Sequence, residues 1–333
     1  MKIAYVVAAT NYLHPGIQRR MHVTCAQFRN HGHRVDLFPI STSVLGMDIN
    51  WFSNELPFDP SRYDAIILRS IILGRSMKRK IFQVPTFSER HYPVKHAESV
   101  KDYVRSMWER SVLNPLDYSA GIFYITSEIA SLDGLSKPNL VVGNSALDLS
   151  LFEINREPII GRIGMSVGSF ASWAGIDLFF ELAQKMLDHK FVIAAPSGLR
   201  FSNRIKQKCP KNIEFVFAKK YSDYINELKT WSHAIGPLAL GRKGLSEAAP
   251  LKVRDYISLG IPTFINYLDT NLSFCDDPAL KQVSANHRDW QESFFAWVQL
   301  SGDLEISLKT KHCIDPRTLE QTKVEFMIKH LKS

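Results

Sequence analysis

The sequence predicts an α/β protein built from two doubly wound parallel-sheet domains. Short runs rich in branched and aromatic residues recur along the whole chain and alternate with stretches of helical period, the pattern of parallel strands joined by helices. At 333 residues the chain is about twice a usual domain. A polar break, FEINREP at 152–158, separates two strand-and-helix series of similar length.

In the first series KIAYVVAAT (2–10) is a continuous apolar strand, followed by the turn NYLHPG (11–16), an amphipathic helix from Ile17 to His31 and a strand RVDLFPI (34–40). YDAIILRS (63–70) and KIFQVPTF (80–87) supply two more β-like runs, and Glu98 to Leu113 reads as helix. AGIFYITSE (120–128) is a buried strand entering a helix, with Ser127 as its expected cap, and LVVGNSALD (140–148) closes the series. Open sheets of this kind bind ligands beyond the carboxyl ends of their strands. The turns after Thr10, Arg69 and Thr126 are therefore expected to face a cleft.

The second series starts near Glu157 with the strand IIGRIGMSVG (159–168), then a loop and helix through SFASWAGIDLFFELAQKML (169–187). KFVIAAP (190–196), NIEFVFA (212–218) and HAIGPLA (233–239) are further strands, with the helix YSDYINELKTWS (221–232) between the last two. Residues 316–331 form a final amphipathic helix. The expected division is 1–152, 153–315, and a tail at 316–333 that crosses back to the first domain.

A hydrophobic content of 45% supplies two cores and excludes disorder. With Lys+Arg 41 against Asp+Glu 33, the net charge is +8, which draws the protein to polyanions. No helix-turn-helix, RNP-type aromatic motif or zinc module is visible, so nucleic acid is not an expected partner. The cluster RSMKRK, with Arg75, Lys78, Arg79 and Lys80, suits an anionic membrane surface instead. MKIAYVVAAT reads as a buried strand rather than an export signal. AIILRSIIL (65–73) is too short for a membrane span and Arg69 interrupts it. The expectation is a cytoplasmic protein, peripheral at the inner face of the membrane. Cys25, Cys209, Cys275 and Cys313 form no C-x-x-C pair and read as reduced structural thiols. The histidines at 14, 22, 31, 33, 91 and 96 form no nucleophile or ligand pattern, and no metal is expected.

The segment from Gly236 to Asn266, GPLALGRKGLSEAAPLKVRDYISLGIPTFIN, carries the functional signal. Pro250 suits the first turn of a helix, its φ being already helical and its missing N–H having no acceptor there. Gly260 is the expected C-cap, Pro262 bars continuation and TFIN follows as a strand. The free N–H groups of Leu251 and Lys252 at the helix start face an anion, most simply phosphate. Arg242, Lys243 and Lys252 add full charges. Asp255, an acceptor-only carboxylate, can take two ribose hydroxyls. Glu247 can reach a sugar.

This segment resembles the donor site of the retaining glycosyltransferases of family four, whose pattern is Glu-x7-Glu and then a helix ending in Gly-x-Pro. Here it stands as Glu247-x7-Asp255 with Gly260-Ile-Pro262. Collinear landmarks extend the resemblance over nearly the whole chain: Pro15-Gly16, Gly32-His33-Arg34-Val35-Asp36-Leu37, the Thr-Ser-Glu turn at 126–128, and Asn144-Ser-Ala-Leu-Asp148. It implies the GT-B fold, two Rossmann-like domains facing a cleft. It also implies a UDP- or GDP-linked sugar as donor, a glycan or lipid-linked acceptor, no cofactor, and a role in bacterial surface polysaccharide synthesis. Glu247, Arg242 and Lys243 would be catalytic. Gly168, Ser169, Pro250, Leu251, Lys252 and Asp255 would bind the donor. QVPTF is similar to a turn of polysaccharide-building members, which puts Gly16, Glu89 and His91 on the acceptor side. The chain departs from the family at Ser169 and Ala174, where a phosphate-binding Arg and a Lys are common, and Arg242 and Lys243 are the expected replacements. Trp173 and Tyr256 read as packing residues. Two rival functions share these features, a nucleotide-sugar epimerase of the same fold and a non-catalytic nucleotide-sugar-binding subunit.

Overall fold

Strand β1 (Lys2–Ala8) shows why the first half folds as it does. Ile3, Tyr5 and Val7 point to one face, where Met21, Cys25 and Phe28 of the helix Pro15–Asn30 cover them together with Val324 and Met327 of the helix Pro316–His330. Ala4, Val6 and Ala8 point to the other, against Met77 and Ile81 of the helix Arg75–Ile81. A strand buried on both faces has to be apolar at every position.

The structure is a computed structural model and describes residues 1–12, 15–40, 49–50, 56–69, 72–73, 75–92, 115–169, 171–199, 205, 207–285 and 288–331. The expected helix Glu98 to Leu113, the turn directly after Arg69, His14 and His96 lie outside them. Two compact units divide the chain, Met1–Leu147 with Pro316–Ser333, and Asp148–Asp315.

In the first unit β1 is joined by β2 (Arg34–Ile40), β4 (Ala65–Arg69), β6 (Thr86–Arg90), β7 (Gly121–Tyr124) and β8 (Asn139–Val141), while β3 (Ile49–Asn50) and β5 (Ile72–Leu73) form a separate short ladder. The sheet order is β2-β1-β4-β6-β7-β8, with all neighbours parallel. The second unit has β9 (Ile159–Ser166), β10 (Lys190–Pro196), β11 (Ile213–Ala218), β12 (Trp231–Ile235), β14 (Thr263–Ile265) and β16 (Leu280–Gln282), again parallel, in the order β11-β10-β9-β12-β14-β16. A short parallel ladder joins β13 (Glu247–Ala248) to β15 (Leu268–Asp269). The second order reverses between β9 and β12, so the ligand crevice of such a sheet opens at their carboxyl ends. Gly164 makes the β9–β12 contact possible, because a Cβ there would sit 2.0 Å from the Trp231 ring.

Several expectations change. KIFQVPTF is not one strand. Lys80 and Ile81 finish the helix Arg75–Ile81, where Lys78, Arg79 and Lys80 occupy the last turn, and cations are favoured at that end. The strand begins only after Pro85, so Glu89 lies inside β6 rather than in a turn. Gly16 stands in the first turn of the helix Pro15–Asn30 instead of a loop. Thr126, not Ser127, caps the helix Ser127–Asp133, its hydroxyl accepting from Ile129 N at 3.1 Å. The units divide after Leu147, beside the expected 152; Asp148 opens the second by accepting from Ser150 N, and Lys311 Nζ donates to Phe152 O within it. The helices Trp290–Leu300 and Leu308–His312 had no counterpart in the expected series.

The returning helix Pro316–His330 is fastened to the first unit by buried charge. Arg69 and Glu89 face each other across β4 and β6, and the Glu89 carboxylate accepts from Arg69 (2.6 Å), Tyr5 OH (2.6 Å) and Lys323 Nζ (2.7 Å). Arg20 pairs with Glu320 at 2.5 Å, both fully buried. Burial pushes the Glu89 carboxyl up, but Lys323 and Arg69 outweigh it and hold the group well below the carboxylate range. No helix among the described residues is long and apolar enough to cross a membrane.

Candidate functional site

The Gly236–Asn266 segment folds across the carboxyl ends of β9 and β12. Pro250, with φ −69° and ψ 137°, is the residue before the helix Leu251–Ser258 rather than its first turn. At the other end Gly260 takes φ +75°, with Ile261 N bonded to Tyr256 O and Gly260 N to Ile257 O. This left-handed cap suits glycine because no Cβ is present to clash. The N–H groups of Leu251 and Lys252 fall in the first turn, which has no intrahelical acceptors.

Ser166, the last residue of β9, is the hub. Its carbonyl accepts from Lys252 Nζ at 2.7 Å, its N–H donates to Tyr256 OH at 2.7 Å, and its hydroxyl bonds to Tyr224 OH at 3.0 Å. Tyr221, one turn before Tyr224 on the helix Tyr221–Lys229, donates to Asp255 Oδ1 at 2.8 Å. Asp255 is thereby oriented by a phenol and buried. Tyr256 is buried as expected of a packing residue, and in addition holds the end of β9. Nothing in the spacing of Ser166, Tyr221 and Tyr224 announces this convergence, since each partner lies at least 34 positions away along the chain.

Trp173 departs from the packing role. It is half-buried, and its ring lies 4.6 Å from Lys243 Nζ and 5.8 Å from Lys252 Nζ, so one aromatic face helps to gather two cations. The loop that carries it is tied to the segment after β12 through Ala239 N to Trp173 O and Leu238 N to Ala174 O, both 3.1 Å. Gly175 permits that approach, with φ +73° and only 2.8 Å from its missing Cβ to Leu238 Cβ. Ala174 points into the core and is 3% exposed, which explains why a lysine is not accommodated there. Gly168 and Ser169 lie exposed just past β9.

Arg242 is already engaged. Its guanidinium grips both Asp177 oxygens at 2.9 and 2.6 Å and donates to Ser172 O at 3.0 Å. These bonds raise Arg242 above its ordinary pKa and lower Asp177 below its own. Lys252 differs, because its ammonium donates to a neutral carbonyl and burial pulls its pKa down to about 8. Glu247 is partly exposed in the β13–β15 ladder. In the first unit His91 follows β6 with Nε2 3.6 Å from Glu89 Oε2, and burial pulls it down to about 4. Gly16, Glu89 and His91 thus stand in a different unit from the residues around Ser166. Among the described residues no cluster of His, Cys, Asp and Glu is placed to hold a metal ion.

Solved glycosyltransferases share this architecture. The lipopolysaccharide outer core galactosyltransferase WaaB, in its apo form, matches with a TM-score of 0.66 at 10% identity over 99% of each chain. The fold is GT-B. An α-glucosyltransferase in complex with UDP and a 13-mer DNA containing a central A:G mismatch gives 0.64 at 14% identity, covering 98% of this chain and 100% of that one. AviGT4, a glycosyltransferase involved in avilamycin A biosynthesis, gives 0.60 at 12% identity over 100% and 98%. No protein-family model matches the chain, and no curated protein matches its sequence.

Proposed function

We propose that the protein is a glycosyltransferase that moves a sugar, with retention, from a UDP- or GDP-linked donor to a glycan or lipid-linked acceptor in bacterial surface polysaccharide synthesis. The observation that carries this reading is the convergence at the carboxyl ends of β9 and β12: a helix N-terminus, the ammonium of Lys252 and an oriented Asp255 on one short helix. Lys252, Lys243 and the N–H groups of Leu251 and Lys252 would neutralise the diphosphate, with Arg242 shaping the loop through Asp177. Asp255 would hold the ribose and Glu247 the transferred sugar. In the reaction the anomeric C–O bond to the diphosphate breaks, the acceptor oxygen bonds to the same face, and its proton passes to the departing phosphate oxygen. Positioning and stabilisation of phosphate charge then supply the rate.

Support for a nucleotide donor also comes from the α-glucosyltransferase structures that hold UDP. Several of those structures hold DNA as well, and a net charge of +8 suits a polyanion, so DNA is the competing acceptor. Incubation with UDP- and GDP-sugars separates the readings. Nucleoside diphosphate released only with a glycan or lipid-linked acceptor supports the proposal, and release only with duplex DNA replaces the acceptor class. An isomerised sugar without acceptor marks an epimerase, and binding without turnover a binding subunit.

A further inference from the structure

Although the four cysteines are far apart in sequence, folding brings Cys275 Sγ and Cys313 Sγ to 2.9 Å. Both are free and half-buried. Cys275 sits in the surface turn after β15, its N–H bonded to Leu272 O, beside Phe274, which is 95% exposed. Cys313 directly follows the helix Leu308–His312, and its carbonyl accepts from the side-chain Nδ2 of Asn271 at 3.3 Å, which ties the turn four residues before Cys275 to the end of that helix. Only a small closure, about 0.9 Å, separates this contact from a disulfide bond length of about 2.05 Å.

We propose that Cys275 and Cys313 are a redox modification site, a vicinal dithiol that small disulfides such as oxidised glutathione convert to an intramolecular disulfide. The Cys313 thiolate attacks one sulfur of the oxidant, breaking its S–S bond and releasing one glutathione. Cys275 then attacks Cys313 Sγ in the mixed disulfide, the second glutathione leaves, and the Cys275 proton goes with it. Two protein thiols are oxidised and one small disulfide is reduced to two thiols. Burial, and then the neighbouring Cys313, push the Cys275 thiol up to about 12, which makes it the resolving partner rather than the first nucleophile. The bridge would clamp a segment of some consequence. Cys313 lies three residues before Pro316, where the chain passes from the second unit to the first. Asn271 also accepts from Arg254, on the helix that carries Lys252 and Asp255.

The test uses the folded full chain exposed to excess oxidised glutathione, then unfolded in an alkylating reagent and mapped by mass spectrometry. The expected result is loss of two of the four alkylatable thiols, a protein lighter by two hydrogens, a peptide pair joined through Cys275 and Cys313, and a higher unfolding midpoint than the reduced protein. Cys209→Ser should behave as wild type, whereas Cys275→Ser or Cys275→Ala should leave Cys313 carrying glutathione. Four free thiols, a stable glutathione adduct on wild-type Cys313, or cross-linked dimers would each overturn the proposal. Because the readout is made on wild type, it stands even where a variant folds poorly, and it does not depend on any transferase activity.

Discussion

Lys252→Met separates stability from binding at the site. In the folded protein the ammonium is displaced from 10.5 to about 8, which corresponds to roughly 3 kcal/mol of preference for the neutral form. Methionine removes that penalty but leaves Ser166 O without its donor, at about 1–3 kcal/mol. The variant should therefore be as stable as wild type or up to about 2 kcal/mol more stable. The sign with pH follows from the lowered folded value. Below about pH 8 both folded and unfolded chains carry the proton and the whole penalty is present. Between there and 10.5 the unfolded chain holds more protons, so wild-type stability rises with pH and the advantage of the variant disappears. UDP binding should move the other way. Loss of one charge-assisted contact, about 1.5–3 kcal/mol, weakens the affinity about 10- to 150-fold, with uridine affected little. In wild type the affinity for UDP should fall as pH rises above about 8, and that dependence should be absent from the variant. Urea unfolding at several pH values and calorimetric titration of UDP and uridine measure both halves. A variant less stable than wild type at pH 6.5 that binds UDP unchanged would refute the reasoning.

Glu89→Gln should destabilise the protein by about 3–5 kcal/mol, because it strands Lys323 and Arg69 in a buried site. The pKa of Glu89 is lowered in the fold, so its contribution is present above the unfolded carboxylate value and is lost as pH falls toward the folded one; acid unfolding of the variant should lack that component. Arg242→Ala should change stability by no more than about 1 kcal/mol, since its pair with Asp177 is exposed, while UDP binding weakens more than uridine binding; equal losses by calorimetry would show that the loop does not meet phosphate. Glu247→Ala should abolish transfer with an unchanged far-UV spectrum, and near-normal turnover would remove Glu247 from the site.

The strands of both sheets were largely legible because a strand covered on two faces must be apolar throughout, as KIAYVVA and KFVIAAP are. The helix Leu251–Ser258 was legible from Pro250 and Gly260, which act locally through φ. Strand order was not, since it depends on which apolar runs pack side by side, and only the order locates the crevice beside Ser166. Charges written in the sequence also did not reveal their partners. Arg242 found Asp177 65 residues away, Lys323 found Glu89 at a separation of 234, and Glu89, expected beside an acceptor-side turn, lies inside β6 among those buried charges. Trp173 read as packing because nothing local shows that two lysines gather on its ring.

The most direct measurement is a crystal structure of the protein with UDP or GDP bound at saturation. The diphosphate should lie at the carboxyl ends of β9 and β12, within hydrogen-bond reach of Lys252 Nζ and the N–H groups of Leu251 and Lys252, with the ribose hydroxyls on Asp255. A nucleotide bound elsewhere, or one whose phosphates avoid the start of the helix Leu251–Ser258, would contradict it.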